Sequence, residues 1–158
     1  MTTHEERMCE LQADFFEQSK AHFPCSSAKF VERFMRSQVA KQLDNTHDDY
    51  NYLSVGEVFS SLEESYPSLK EGHGNQFPTH VLRWIGYIYR CFCIRKNRPS
   101  LWVYTKIKTD SLLALYDSFH TFDPDYCVDR IEEIILQREP TPKSDYEVYR
   151  EIRLKCAQ

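Results

Sequence analysis

Between Gly72 and Thr109 the sequence has no aspartate and no glutamate. Arg83, Arg90, Arg95, Lys96, Arg98, Lys106 and Lys108 lie in that stretch, giving it seven positive charges in a chain whose net charge is −4. The remainder holds 13 basic and 24 acidic residues, so acidic arms over residues 1–71 and 110–158 flank a basic middle. Glycine is scarce, with four in 158 residues. That scarcity excludes a turn-rich β-sandwich and, with frequent Leu, Glu, Lys and Arg, favours helices. No apolar run approaches the roughly 20 residues that span a bilayer. The opening Met1-Thr2-Thr3-His4-Glu5-Glu6 lacks the charged-then-apolar layout of a secretory leader. Cys9, Cys25, Cys91, Cys93, Cys127 and Cys156 have no framework spacing, and the expectation is reduced thiols in a cytoplasmic protein.

What is present reads as helix after helix. Residues 3–22 carry Met8, Leu11, Phe15 and Phe16 at three- and four-residue spacing, with a Thr3/Glu6 capping box and Pro24 as the stop. Ser26 or Ser27 opens a second helix through Phe30, Val31, Phe34, Met35, Val39 and Leu43, ended by the polar run Asp44–Asp49. Ser54 and Glu57 cap a third, closed by Pro67, and the loop-like residues 70–78 follow. Thr79 caps a helix through Val81, Leu82, Trp84 and Ile85. Tyr87–Ile94 either continues it or turns extended after Gly86. Leu101–Lys108 predicts a strand, with Leu101, Val103, Thr105 and Ile107 on one face and Trp102, Tyr104, Lys106 and Lys108 on the other; Asn97-Arg98-Pro99-Ser100 is then the turn of a hairpin or the lead into a single strand after a long helix. Asp110 opens the next helix, Asp123-Pro124 starts another with Cys127, Val128, Ile131, Ile134 and Ile135 inward, and Ser144 with Glu147 caps a last one. The expected fold is mainly α: one domain over 1–158, with an acidic helical part (1–71), a basic helix plus β element (72–109) and C-terminal helices (110–158).

Helix, turn, helix and hairpin in that order describe a winged helix-turn-helix, with the acid-free stretch covering recognition helix and wing. Basic residues interleaved with Tyr87, Tyr89, Phe92, Trp102 and Tyr104 also suit stacking on single strands, although such aromatics more often pack a core. Cys91-x-Cys93 with Cys127 and His120 lacks the second ligand pair that zinc wants, so no metal and no cofactor is expected. Gly72–Phe77 lacks the third glycine of a dinucleotide loop, and no phosphate-binding Lys-Ser/Thr loop occurs. His73, His80 and His120 can serve as bases, but no nucleophile stands beside them in a recognisable motif.

Arg83-Trp84-Ile85-Gly86-Tyr87-Ile88-Tyr89-Arg90, Val103-Tyr104-Thr105-Lys106-Ile107-Lys108, Leu115–Pro124 and Arg130-Ile131 together resemble small bacterial antitoxin components of toxin–antitoxin or phage-defence loci. The resemblance covers about residues 80–135. It implies an intracellular non-enzyme that neutralises a partner protein and regulates its own operon, and it brings no catalytic residues. The leading expectation is therefore an antitoxin- or regulator-type binding protein, free to form homo-oligomers. Arg83, Trp84, Tyr87, Arg90, Arg95, Lys96, Arg98, Trp102, Tyr104, Lys106 and Lys108 would face the toxin-like partner or duplex DNA. The alternatives are a stand-alone winged-helix regulator and a small toxin-type nuclease.

Overall fold

The protein's structure, a computed structural model, describes residues 1–45, 53–138 and 153; among these it contains eight α-helices and no strand. Helix α1 (Thr3–His22) begins on a capping box one residue earlier than expected. The Thr2 hydroxyl accepts from Glu5 N at 3.2 Å, and the Glu5 carboxylate accepts from Thr2 N at 2.9 Å. Thr2/Glu5 and Thr3/Glu6 both satisfy the spacing, so the pattern could not separate them. The helix expected from Ser26 to Leu43 divides at Ser37 into α2 (Ser27–Arg36) and α3 (Gln38–Asp44). Ser37 Oγ donates to Phe34 O at 2.6 Å and accepts from Ala40 N at 3.2 Å, ending one helix and capping the next.

Ser54 caps α4 (Val55–Ser65) and a 3-10 turn over Pro67–Lys70 follows. Helix α5 runs unbroken from Thr79 to Arg95, through Gly86, so residues 87–95 are helical. Thr79 is its first residue, not its cap. The hairpin is replaced by a helix–helix joint. Arg98 N donates to Cys93 O at 3.0 Å and Asn97 N to Ile94 O at 3.3 Å, with Asn97 at φ 51°, a Schellman ending. Helix α6 (Ser100–Lys106) then occupies most of the expected strand. Ser100, Val103, Tyr104 and Ile107 are its buried positions, a helical 0, 3, 4, 7 spacing hidden in a run that also alternates. With α6 helical, no wing forms here. Helix α7 (Thr109–Phe119) starts one residue before Asp110, whose carboxylate instead suits the first turn. Helix α8 (Pro124–Arg138) begins at Pro124, and the Asp123 carboxylate accepts from Asp125 N at 2.9 Å. Ile131 and Ile135 are buried on it, whereas Ile134 is only half-buried. The helix expected from Ser144 to about Lys155, most of the Asp44–Asp49 run and Cys156 lie outside the described residues.

Helices α1 and α5 form the most extensive pair, and α5 also packs on α6, α7 and α8. The pair is antiparallel: Arg83 meets Asp14 and Glu17, while Cys91 Sγ lies 4.0 Å from Met1 Sδ. Gly86 sits at the crossing, where an added Cβ would stand 2.8 Å from Phe16 Cγ and 2.9 Å from Gln12 O. Phe16 also joins Phe23, Phe30, Phe34 and Phe59 in a ring cluster with centroid separations such as 5.0 Å (Phe16–Phe34) and 5.1 Å (Phe23–Phe59). Much of the aromatic content of the N-terminal half is thus core.

Candidate functional site

Four of the seven cations of the acid-free stretch are held by carboxylates from other helices. Arg83 pairs with Asp14 and, at 3.1 Å, with Glu17. Arg95 takes Asp129 through two bonds of 3.0 and 2.9 Å, and Lys96 meets the same carboxylate at 2.8 Å and Glu132 at 3.5 Å. Arg90 is fully buried. Its Nε donates to Gln12 Oε1, and its terminal nitrogens donate to Asp44 Oδ1 and Ser100 Oγ, each at 2.8 Å. Arg90 therefore belongs to the interior and is corrected from a partner-binding residue to a structural one. The charge asymmetry of the sequence is largely consumed within the fold: basic α5 is clasped by acidic α1, α3 and α8.

Hydrogen bonds from Arg95 and then Lys96 hold the Asp129 carboxyl far below the usual carboxylate range. A depressed carboxyl contributes stability above its unfolded value, near pH 4, and loses it as pH falls through the folded value. Asp129 is solvent-exposed, however, and exposed pairs are worth about 0–1 kcal/mol. Asp129→Asn is thus expected to lower stability by less than about 1 kcal/mol at pH 7, with the difference from the parent shrinking below pH 4; urea melts at pH 7 and pH 3 check this.

The other three cations gather around α6. Arg98 lies 4.4 Å and Lys106 5.7 Å from the Trp102 ring, and Lys108 lies 4.6 Å from the ring of Tyr104. Tyr104 is only 6% exposed, so its ring is mostly core covered by Lys108 and Arg36. Trp102 is half-buried beside exposed Leu101.

Trp84 and Tyr87 stand elsewhere, in a cleft of about 290 Å³ between α5, α7 and the start of α8. His80, Arg83, Trp84 and Tyr87 line it from α5, one or two helical turns apart. Tyr116 and His120 line it from α7, with Phe122 and Pro124 closing the far side. Trp84 meets Tyr116 edge-on at 5.5 Å, and Tyr116 stacks on His120 at 4.4 Å with ring planes 12° apart. His120 Nδ1 donates to Tyr116 O at 2.8 Å, which fixes the ring. Burial first, then neighbouring Cys9 and Cys91 and the carboxylates of Glu6 and Glu10, push the Tyr87 phenol up to about 12. It stays a neutral hydrogen-bond donor at physiological pH. Phe122, which lines the cleft, is 51% exposed, and its ring lies 5.4 Å from that of Tyr126, itself 49% exposed.

His80 and His120 therefore converge in this cleft, both against Tyr116, while His73 lines a separate recess with His22. Sequence reasoning placed Arg83, Trp84 and Tyr87 at the site but missed Tyr116 and Phe122. The i, i+4 pair Tyr116/His120 was the available signal. Cys9, Cys25, Cys91, Cys93 and Cys127 are all buried free thiols, and burial raises those of Cys25, Cys93 and Cys127. Among the described residues no three His, Cys, Asp or Glu side chains group closely enough to hold a metal ion. Nor is any helix there long and apolar enough to cross a membrane. No protein-family model, no curated protein and no solved structure matches this chain.

Proposed function

We propose that this chain is a non-enzymatic binding protein of antitoxin or regulator type, and that the aromatic cleft is where it holds its partner protein. The observation that carries this reading is the open cleft itself, ringed by Trp84, Tyr87 and Tyr116 and edged by exposed Phe122, whose ring adjoins that of exposed Tyr126. Tryptophan and tyrosine dominate interface energetics, and large exposed rings beside a pocket mark an interaction site. Duplex DNA is the weaker candidate. A phosphate would have to take Arg83, Arg95 and Lys96 from carboxylates already bonded to them.

A second reading has one observation in its favour: the convergence of His80 and His120 beside Arg83 suits acid–base cleavage of RNA. The test covers both. The chain is co-expressed with the product of the adjacent reading frame, and that product alone is assayed for toxicity. The expected result is relief of toxicity, co-purification, and at least tenfold weaker binding for Trp84→Ala, with Trp102→Ala close to the parent. A harmless neighbour that does not bind would overturn the antitoxin reading, and RNA cleavage lost in His120→Ala would make the chain an enzyme.

A further inference from the structure

Glu6, Glu10, Asp14 and Glu17 follow one another on α1 at steps of four, four and three, so they form a single stripe on that helix. Two members of the stripe grip Arg83, which lines the cleft, and because α1 and α5 run antiparallel the other two fall toward the next turn of α5, which carries Tyr87. The stripe thus runs along α1 next to the α5 wall of the cleft, and Arg83, the guanidinium on that wall, is already neutralised by two of its members. Glu6 and Glu10 are exposed and have no ion-pair partner among the described residues. Asp123, also exposed, precedes cleft residue Pro124 on the opposite wall.

We infer that the cleft accepts a cationic side chain, an arginine or lysine presented by a basic partner protein. This rests on the cleft being the partner site and adds the chemistry of its occupant. Trp84, Tyr87, Tyr116 and Phe122 offer electron-rich rings, and a cation within about 6 Å of such rings is attracted by their quadrupoles. The acidic stripe supplies the compensating charge and steers a basic surface toward the mouth. An anionic occupant, a nucleotide or an acidic segment, would meet the same carboxylates as repulsion. A neutral apolar plug would leave Glu6 and Glu10 unused and would gain nothing from ring faces over aliphatic walls.

The experiment is an NMR titration of the full chain with N-acetyl-arginine amide, with its neutral isostere N-acetyl-citrulline amide, and with adenosine monophosphate. Arginine is expected to shift the Trp84 indole and the Tyr116 and His120 ring resonances saturably, while the Trp102 indole stays still. Citrulline should bind at least tenfold more weakly, and the monophosphate should leave these resonances in place. Phe122→Ala, at an exposed position, and the paired reversal Glu6→Lys with Glu10→Lys should each weaken arginine binding severalfold while the chain stays folded, the reversal lowering the melting temperature slightly because Glu6 lies in the first turn of α1. Citrulline binding as tightly as arginine, the monophosphate binding more tightly, or no shift of cleft resonances with arginine would overturn the inference. Its failure is separable from that of the parent reading. A chain that binds its partner but not arginine retains the antitoxin role and loses this occupant. A chain that binds arginine but neutralises no neighbour retains the occupant and loses the role.

Discussion

Arg90→Ala is expected to remove about 3–5 kcal/mol of folding stability, the largest effect of any single change considered for this protein. Arg90 has no solvent exposure and Asp44 is 16% exposed, so truncation leaves a largely buried carboxylate without its counter-charge. Gln12 loses its donor as well, although its own amide still donates to Gly86 O at 3.0 Å. Asp44 keeps Ser100 N at 2.9 Å and Ser100 Oγ at 2.6 Å, which limits the damage without removing the charge. Four helices meet here: Gln12 of α1, Asp44 of α3, Arg90 of α5 and Ser100 of α6. A domain of this size has about 5–15 kcal/mol in hand, so the variant would be marginal at 37 °C. Arg90→Lys should recover only part of the loss, because one ammonium cannot reach three acceptors in the directions a guanidinium does. Urea denaturation of Arg90→Ala, Asp44→Ala and the pair measures this. The two effects should be strongly non-additive, with the double variant losing less than the two single losses combined. Additive losses would mean that the two side chains do not act as a unit.

Gly86→Ala is expected to destabilise by about 1–3 kcal/mol, against the usual trend for glycine in a helix. An alanine in an unobstructed helical position gains up to about 1 kcal/mol over glycine. At Gly86 the new methyl would stand 2.8 Å from Phe16 Cγ and 2.9 Å from the Gln12 carbonyl oxygen. Phe16 is fully buried among other rings and Gln12 O is backbone, so neither yields cheaply. The α1–α5 crossing must open, and the Arg83 and Arg90 bonds to α1 open with it. Gly56 in α4 supplies the internal control, since a Cβ there meets nothing within 4 Å. Gly56→Ala should therefore stabilise by about 0.5–1 kcal/mol. Opposite signs in parallel thermal melts are the expected result; the same sign at both would remove the close crossing as the explanation.

The helical class and most helix starts were legible because they rest on local chemistry. Ser26, Ser54 and Asp123-Pro124 each open a helix where their side chains or rings require one. The strand expected over Leu101–Lys108 failed for an equally local reason. Val103 and Ile107 fit both periods, only the helical one adds Tyr104 to their face, and Asp44, more than 50 residues away, favours helix by binding Ser100 N. Charge was legible as composition but not as geometry. Nothing local says that Arg83 reaches Asp14 or that Arg95 reaches Asp129, so a one-signed segment read as an outward face when much of it turns inward. Trp84 and Tyr87 stood out by residue type alone. Tyr116 and His120 come to them only through the packing of α7 on α5, which no spacing along the chain encodes.

The five buried thiols make the molecule a reporter of its own opening. They are distributed over the α1, α5 and α8 helices and the joint before α2, so together they sample several parts of the structure. Thiolate is the species that alkylating reagents attack, and burial keeps it scarce, so modification must wait for the surrounding helices to part. With Cys156 replaced by serine, the rate at which mass spectrometry finds Cys9 and Cys91 tagged would time separation of the α1–α5 pair. The rate at Cys127 would time release of α8. A partner seated between α5, α7 and α8 would then reveal itself without any label of its own, as a selective slowing at Cys127.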